Sequence, residues 1–89
     1  MNLSSLLANL HKHGQRATYG AVAGVVGGAP RSVMHGQVKA PENCWVVAKK
    51  NGKPTGYSLE EYDSRLLSSP KPIEKQQDLI EWLRNHPVS

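Results

Sequence analysis

The sequence predicts a mainly α-helical α+β fold of winged-helix-like architecture: a helix bundle with a helix-turn-helix, a β-hairpin wing and a C-terminal helix. Apolar residues recur at helical spacing near both ends of the chain, glycines separate two short helical patterns, and a strand-like stretch runs into a turn signal. A chain of 89 residues should form a single domain. Residues 1–58 would hold the helix-turn-helix and the wing, and residues 59–89 a helical extension.

The first three helices are predicted from spacing and from stop signals. Four leucines share one face over residues 3–13, and Gly14 follows as a terminator. Thr18 is a suitable N-cap for a second helix that a pair of glycines ends. A third helix should run over residues 30–38, with a proline in its first turn. The second and third helices together give the helix-turn-helix pattern.

A β-hairpin is predicted after the third helix. Residues 44–48 are rich in β-branched and aromatic side chains, and the dipeptide Asn51-Gly52 favours a two-residue hairpin turn. A short return strand over residues 55–58 would complete the wing. Three further segments are expected: a short helix over 59–67, a connector over 68–72 and a closing amphipathic helix over 73–85.

Composition excludes several classes of protein and suggests a partner. A single cysteine leaves no internal disulfide and no cysteine-rich zinc site, and the four histidines show no metal spacing, so no metal and no cofactor are expected. No signal peptide or apolar run of spanning length is visible, which predicts a cytoplasmic protein with no membrane partner. Residues 1–57 carry seven cations and one anion, a net +6, whereas residues 58–89 carry a net −2. The basic part indicates a polyanion-facing surface, with chance clustering as the alternative.

Two stretches carry a family resemblance. "TYGAVAGVVGGAPRSVMHGQV" (18–38) and "CWVVAKKNGKPTGY" (44–57) resemble the DNA-binding domain of alkylguanine-DNA alkyltransferases and alkyltransferase-like proteins. The resemblance implies base flipping through the minor groove, in which Tyr19 crowds the phosphate and Arg31 fills the gap in the base stack. The family motif Pro-Cys-His-Arg-Val is altered here: Trp45 stands in place of the histidine and Val46 in place of the arginine.

The altered motif predicts that Cys44, aligned to the family's nucleophile, is inactive. Tryptophan cannot accept the thiol proton, and a thiol near its reference pKa of about 8.5 is mostly protonated at neutral pH. A shifted alignment would put Trp45 in the cysteine position and leads to the same conclusion. Cys44 is otherwise expected to be a small, half-buried strand residue.

These observations predict a monomeric, non-catalytic protein that binds duplex DNA, including alkyl-damaged DNA, with a repair protein as a further partner. One alternative is a protein-interaction module on the same fold; another is a methyltransferase that uses Cys44. The expected DNA contacts are Tyr19, Arg31, Ser32, His35, Lys39, Trp45, Lys49, Lys50 and Lys53. Packing or solvation is the simpler role for several of them, above all Tyr19, Trp45 and the three wing lysines.

Overall fold

Three α-helices and a two-stranded parallel sheet form the fold, which we describe from a computed structural model for residues 1–87. The elements in chain order are α1 (Leu3–His13), β1 (Ala17–Thr18), α2 (Tyr19–Val26), β2 (Val46–Val47) and α3 (Gln76–Asn85), with 3-10 turns at Pro41–Asn43, Leu59–Glu61 and Leu66–Ser68. The mainly helical character of the fold is therefore as predicted. No helix within residues 1–87 is both long and apolar enough to cross a bilayer.

The first two helices begin and end at local signals that the sequence carries. The Asn2 side chain accepts a hydrogen bond from the Ser5 amide at 2.8 Å, and Gly14 ends α1 in the left-handed conformation with φ 63°. The Thr18 hydroxyl accepts a bond from the Ala21 amide at 3.2 Å, and Gly27 ends α2. Both predicted helices are confirmed.

The core surrounds a single buried tryptophan. Trp45 is fully buried, and it packs with side chains from α1, α2, α3 and the 66–68 turn. The fully buried residues of these elements are Leu6, Leu10, Ala21, Val22, Leu66 and Leu79. Because a large aromatic ring contributes much of a small core's buried area, the helices are organised around this one side chain.

The sheet differs from the predicted hairpin. Val46–Val47 pairs in parallel with Ala17–Thr18, and the described residues contain no return strand after the turn. The chain does turn here, since the Gly52 amide donates to the Ala48 carbonyl at 2.8 Å and Gly52 has φ 67°, but Asn51 lacks the positive φ that the predicted two-residue hairpin turn requires. Pro54 has no amide hydrogen with which to continue a ladder, and Gly56 leaves the extended region at φ 80°. The chain therefore turns without forming a wing of two strands.

The predicted third helix is also absent as a regular helix. Over residues 30–38 the backbone makes successive bonds between residues three apart, for example from the His35 amide to the Ser32 carbonyl at 2.9 Å. Gly36 breaks the run with φ 84°. Only Val33, Met34 and Gln37 in residues 30–37 are half-buried, so there is too little packing to stabilise a short helix.

The C-terminal part contains two further departures. In place of a helix over 59–67, two 3-10 turns flank Tyr62 and Asp63, and the Asp63 carboxylate accepts from the Arg65 amide at 2.8 Å. Such local side-chain bonds compete with helix formation. The last helix begins at Gln76 and not at residue 73, because the Ile73 amide donates to the Arg16 carbonyl at 3.0 Å.

Helix α2 packs against the first residue of α3 at Gly24. A Cβ atom there would lie 2.5 Å from the Gln76 side-chain oxygen and 2.9 Å from the Gln76 Cβ. Gly24→Ala is therefore expected to lower the free energy of unfolding by roughly 1–3 kcal/mol, as overpacking does. Urea denaturation followed by circular dichroism would measure the change.

Gly20 supplies a matched control in the same helix, because a Cβ there would meet nothing within 4 Å. Gly20→Ala should leave stability unchanged or raise it by up to about 1 kcal/mol through helix propensity. Equal effects of the two substitutions would contradict the proposed close contact at Gly24.

Candidate nucleic-acid interface

A cleft of about 380 Å³ opens between α2, the irregular 30–39 segment and residues 55–57. Its lining mixes aromatic, aliphatic, amide, hydroxyl and cationic side chains, and we call it the cleft. The lining residues are Tyr19, Pro30, Arg31, Met34, His35, Gln37, Lys39, Val46, Thr55 and Tyr57. This combination of flat apolar faces with a few hydrogen-bonding groups is typical of a ligand site.

Two tyrosines are held in place at the cleft. The Tyr19 hydroxyl accepts a hydrogen bond from the Thr55 amide at 3.0 Å, which links the start of α2 to the opposite wall. The Tyr57 hydroxyl donates to the Asn43 carbonyl at 3.1 Å. Burial raises the pKa of Tyr57 to about 12, so it stays a neutral phenol at physiological pH. Both rings are thus fixed before any ligand arrives.

A shallower groove of about 510 Å³ adjoins the cleft and shares three of its residues, Tyr19, Pro30 and Arg31. The groove continues over Gly20 to Lys49 and Lys50, which stand on the turn formed by residues 48–53. We call that turn the basic turn. The groove thus runs from an aromatic cleft to exposed ammonium groups, past a stretch of α2 backbone that no side chain covers at Gly20.

One carboxylate interrupts this cationic surface. Glu74 also lines the groove, and its Oε1 lies 3.6 Å from the Lys49 ammonium nitrogen. Both side chains are more than half exposed, so the pair contributes little to stability. Its effect on the site is to offset part of the positive charge beside Lys49.

The structure brings most of the predicted contact residues together. Tyr19, Arg31, His35 and Lys39 line the cleft, and Lys49 and Lys50 line the adjoining groove. Ser32 and Lys53 are exposed on the neighbouring segments but line neither cavity. Trp45 is fully buried in the core, so its indole does not face the surface.

Several lining residues were not predicted. Gln37, Thr55 and Tyr57 lie in segments that the sequence assigned to a recognition helix and to a return strand. Tyr57 carried the one available signal, because it follows the turn glycine in the stretch that resembles the alkyltransferase family. Nothing in the sequence pointed to Gln37 and Thr55, because their place in the cleft depends on irregular backbone.

Cys44 lies outside the cleft. It is fully buried, and its Sγ accepts a hydrogen bond from the Asp63 amide at 3.4 Å. Burial raises the pKa of the Cys44 thiol, which keeps it protonated at neutral pH. Val46, two residues further on, is the part of this stretch that lines the cleft. The thiol of Cys44 is therefore neither ionised nor open to a ligand in the cleft.

A cluster of polar side chains contacts the indole of Trp45. Its indole nitrogen donates to His11 Nδ1 at 3.1 Å, and the Arg65 guanidinium lies 5.1 Å from the ring centre. The Asp63 carboxylate accepts from Arg65 Nε at 2.9 Å, and these hydrogen bonds hold the pKa of Asp63 below its ordinary value. His11 is thus engaged as an acceptor for the indole, in the tautomer with its proton on Nε2.

The other histidines do not assemble a metal centre. His13 and His86 pack around Trp82, with the His86 ring stacked on the indole at 4.4 Å. Within residues 1–87, no three His, Cys, Asp or Glu side chains are grouped so that they could hold a metal ion.

No family model, no curated protein and no solved structure matches this chain.

The environment of Cys44 generates a test of thiol reactivity. A disulfide reagent such as DTNB should react with the native protein at pH 7.5 roughly 100-fold or more slowly than with the urea-unfolded chain, because the buried thiol is protonated. As Cys44 is the only cysteine, absorbance reports this site alone. The native rate should still be rising with pH above the ordinary thiol pKa, where the rate of the unfolded chain levels off, since the folded pKa is raised. Equal rates in the folded and unfolded chain would contradict the burial of Cys44.

Proposed function

We propose that this protein is a non-catalytic binder of duplex DNA that accommodates an extruded base in the cleft and phosphates along the groove. The observation that carries the proposal is that the two cavities adjoin and share Tyr19, Pro30 and Arg31 in their linings. A flipped nucleotide needs a pocket for its base beside a cationic path for its backbone, and this arrangement meets both needs.

The size and chemistry of the cleft suit a single base. Its volume of about 380 Å³ lies at the lower end of the range for small-molecule sites. Tyr19 and Tyr57 offer aromatic faces, and Gln37, Lys39 and Thr55 offer groups that can hydrogen-bond to a base edge. Aromatic faces tolerate any base, because every base has a π-face on which to stack. The polar groups would then discriminate between bases.

The groove supports the backbone contact. Arg31, Lys49 and Lys50 line it together, and Gly20 leaves the backbone of α2 open to close approach. In this proposal the irregular 30–37 segment takes the part of a recognition helix, and the basic turn takes the part of a wing. The resemblance to alkyltransferase-like proteins agrees with this assignment and adds alkyl-damaged DNA as the preferred ligand. The protein would bind as a monomer and mark the site for a repair protein.

A binding role without alkyl transfer is favoured by the placement of Cys44. Transfer requires a thiolate that faces the flipped base, whereas the Cys44 thiol is buried, protonated and bonded to the Asp63 amide. The rival proposal, a protein-interaction module, draws on Glu74, whose carboxylate would repel a phosphate in the groove. Salt dependence separates the two, because phosphate neutralisation makes affinity fall steeply with salt.

We expect plain duplex to bind with a dissociation constant of about 10⁻⁴–10⁻⁶ M at physiological salt. The plot of log affinity against log salt should have a slope of roughly −3, for three phosphates neutralised by the groove cations. Fluorescence anisotropy at two salt concentrations, with plain and methylguanine-containing duplexes, measures both quantities. If no binding is seen at low salt, and if adding duplex shifts no amide signals in NMR spectra, the protein does not bind DNA as proposed.

Arg31→Ala should weaken binding by roughly tenfold and reduce the magnitude of the salt slope by about one, as loss of a phosphate contact does. A larger loss on methylguanine duplex than on plain duplex would indicate that Arg31 fills the base stack. Arg84→Ala, which removes the same charge from α3 outside both cavities, is the matched control. If the two variants bind equally well, Arg31 is not part of the interface.

Cys44 should gain no alkyl group after long incubation with methylguanine duplex. The expected intact mass is that of the starting protein, because the Cys44 thiol stays protonated and a protonated thiol is a weak nucleophile. Cys44→Ser should bind DNA as the parent does. A mass increase of one methylene that Cys44→Ser abolishes would instead establish the methyltransferase alternative.

A further inference from the structure

We propose that Arg16 is a positioning residue for DNA binding: its guanidinium fixes the basic turn so that Lys49 and Lys50 face the groove. This inference rests on the proposed function, which it deepens by assigning the part that controls the shape of the cationic surface. Arg16 itself lines neither the cleft nor the groove.

The Arg16 guanidinium bridges two segments that are far apart in sequence. Its Nη1 donates to the Gly52 carbonyl at 2.9 Å. On the other side, its Nη2 donates to the carbonyls of Ser69 and Pro70, each at 3.2 Å, and its Nε reaches the Pro70 carbonyl at 3.3 Å. One planar fork thus joins the basic turn to the connector (residues 68–72).

These bonds occupy most of the donors with which Arg16 could contact a phosphate. A guanidinium has five N–H donors in a fixed plane, and here each of its three nitrogens already donates to a backbone carbonyl. A lysine could not reproduce the arrangement, because an ammonium is a point charge without the planar fork. The Arg16 guanidinium therefore serves mainly to stabilise the conformation of the basic turn.

The other hydrogen bonds of the basic turn are local to it. The Gly52 amide bonds to the Ala48 carbonyl, the Ala48 amide to the Lys53 carbonyl at 3.0 Å, and the Lys53 amide to the Asn51 side chain at 3.0 Å. Pro54, which follows, has no amide donor, and strand β2 before the turn is only two residues long. The exposed Lys49–Glu74 pair adds a weak link to the residues just past the connector.

The connector, by contrast, is well anchored. The Gln15 side chain donates to the Lys71 carbonyl at 3.1 Å, and the Ile73 amide donates to the Arg16 carbonyl at 3.0 Å. Arg16 therefore ties the weakly restrained turn to a fixed part of the molecule. A turn whose backbone is ordered before binding avoids the entropy cost of ordering that backbone in the complex.

The test compares Arg16→Lys with the parent in the anisotropy assay, and it follows hydrogen exchange at the Ala48 and Gly52 amides. Arg16→Lys keeps the net charge, yet we expect about a tenfold loss of affinity for plain duplex and faster exchange at both amides. Arg84→Lys, the same change on α3, should alter neither. Thermal melts identify the temperature at which every variant is folded, and binding is measured there.

Each outcome decides between the possible roles. Unchanged affinity in Arg16→Lys with a loss in Arg16→Gln would make Arg16 an ordinary phosphate contact and overturn the inference. Faster exchange with unchanged affinity would make its role structural only, which also overturns it. A parent protein that fails to bind DNA would instead refute the proposed function itself.

A second variant covers the case in which Arg16→Lys does not fold. A Cβ at Gly52 would lie 2.8 Å from Arg16 Nη1, and the residue has φ 67°, so Gly52→Ala disturbs the same bond while keeping every charge. It should lower DNA affinity by a similar factor. Parent-like affinity in folded Gly52→Ala would overturn the inference.

Discussion

Three segments of the chain meet through the backbone of residues 16–18, and the rest of the structure depends on this junction. The Ala17 amide donates to the Trp45 carbonyl at 2.9 Å, and the Thr18 amide donates to the Ile73 carbonyl at 2.9 Å. The Ile73 amide returns a bond to Arg16. These bonds satisfy both sides of one short buried strand, as a buried backbone requires. Because α2 starts at the next residue, the junction also places Tyr19 at the mouth of the cleft.

The pairing register at this junction also determines which side chains reach the site. Ala17 pairs with Val46, so Trp45 turns into the core, where its indole meets His11, while Val46 lines the cleft. A slip of one residue would exchange these two faces, since side chains alternate along a strand. Cys44 precedes the strand, at the end of a 3-10 turn, and is buried there. The absence of the Cys44 thiol from the cleft thus follows from the backbone pairing and the burial of the residue before the strand.

Sequence reasoning succeeded where the signals were local and failed where they depended on distant contacts. The bounds of α1 and the N-cap of α2 follow from leucine spacing, Gly14 and Thr18. The predicted wing was wrong because Val46–Val47 pairs with a strand at residues 17–18 and not with a return strand. Strands of two residues are also too short to show a hydrophobic periodicity. The cationic residues of the site were predicted, because charge is visible in sequence. Its irregular wall was expected to be a helix over residues 30–38, so Gln37 was missed.

Not all of the positive charge in residues 1–57 is equally available to a ligand. The basic part has a net charge of +6, but the Arg16 guanidinium bonds to backbone carbonyls and Glu74 offsets Lys49 in the groove. Three cations, Arg31, Lys49 and Lys50, line the groove, and under the proposed function each would contribute one step of salt-dependent affinity. If the groove holds DNA as proposed, three such contacts give only weak binding to undamaged duplex. Under the proposed function, most of the affinity for a preferred site must then come from what enters the cleft. Selectivity would arise from a base that is easily extruded, because the cost of unstacking is lowest for a damaged or mispaired nucleotide.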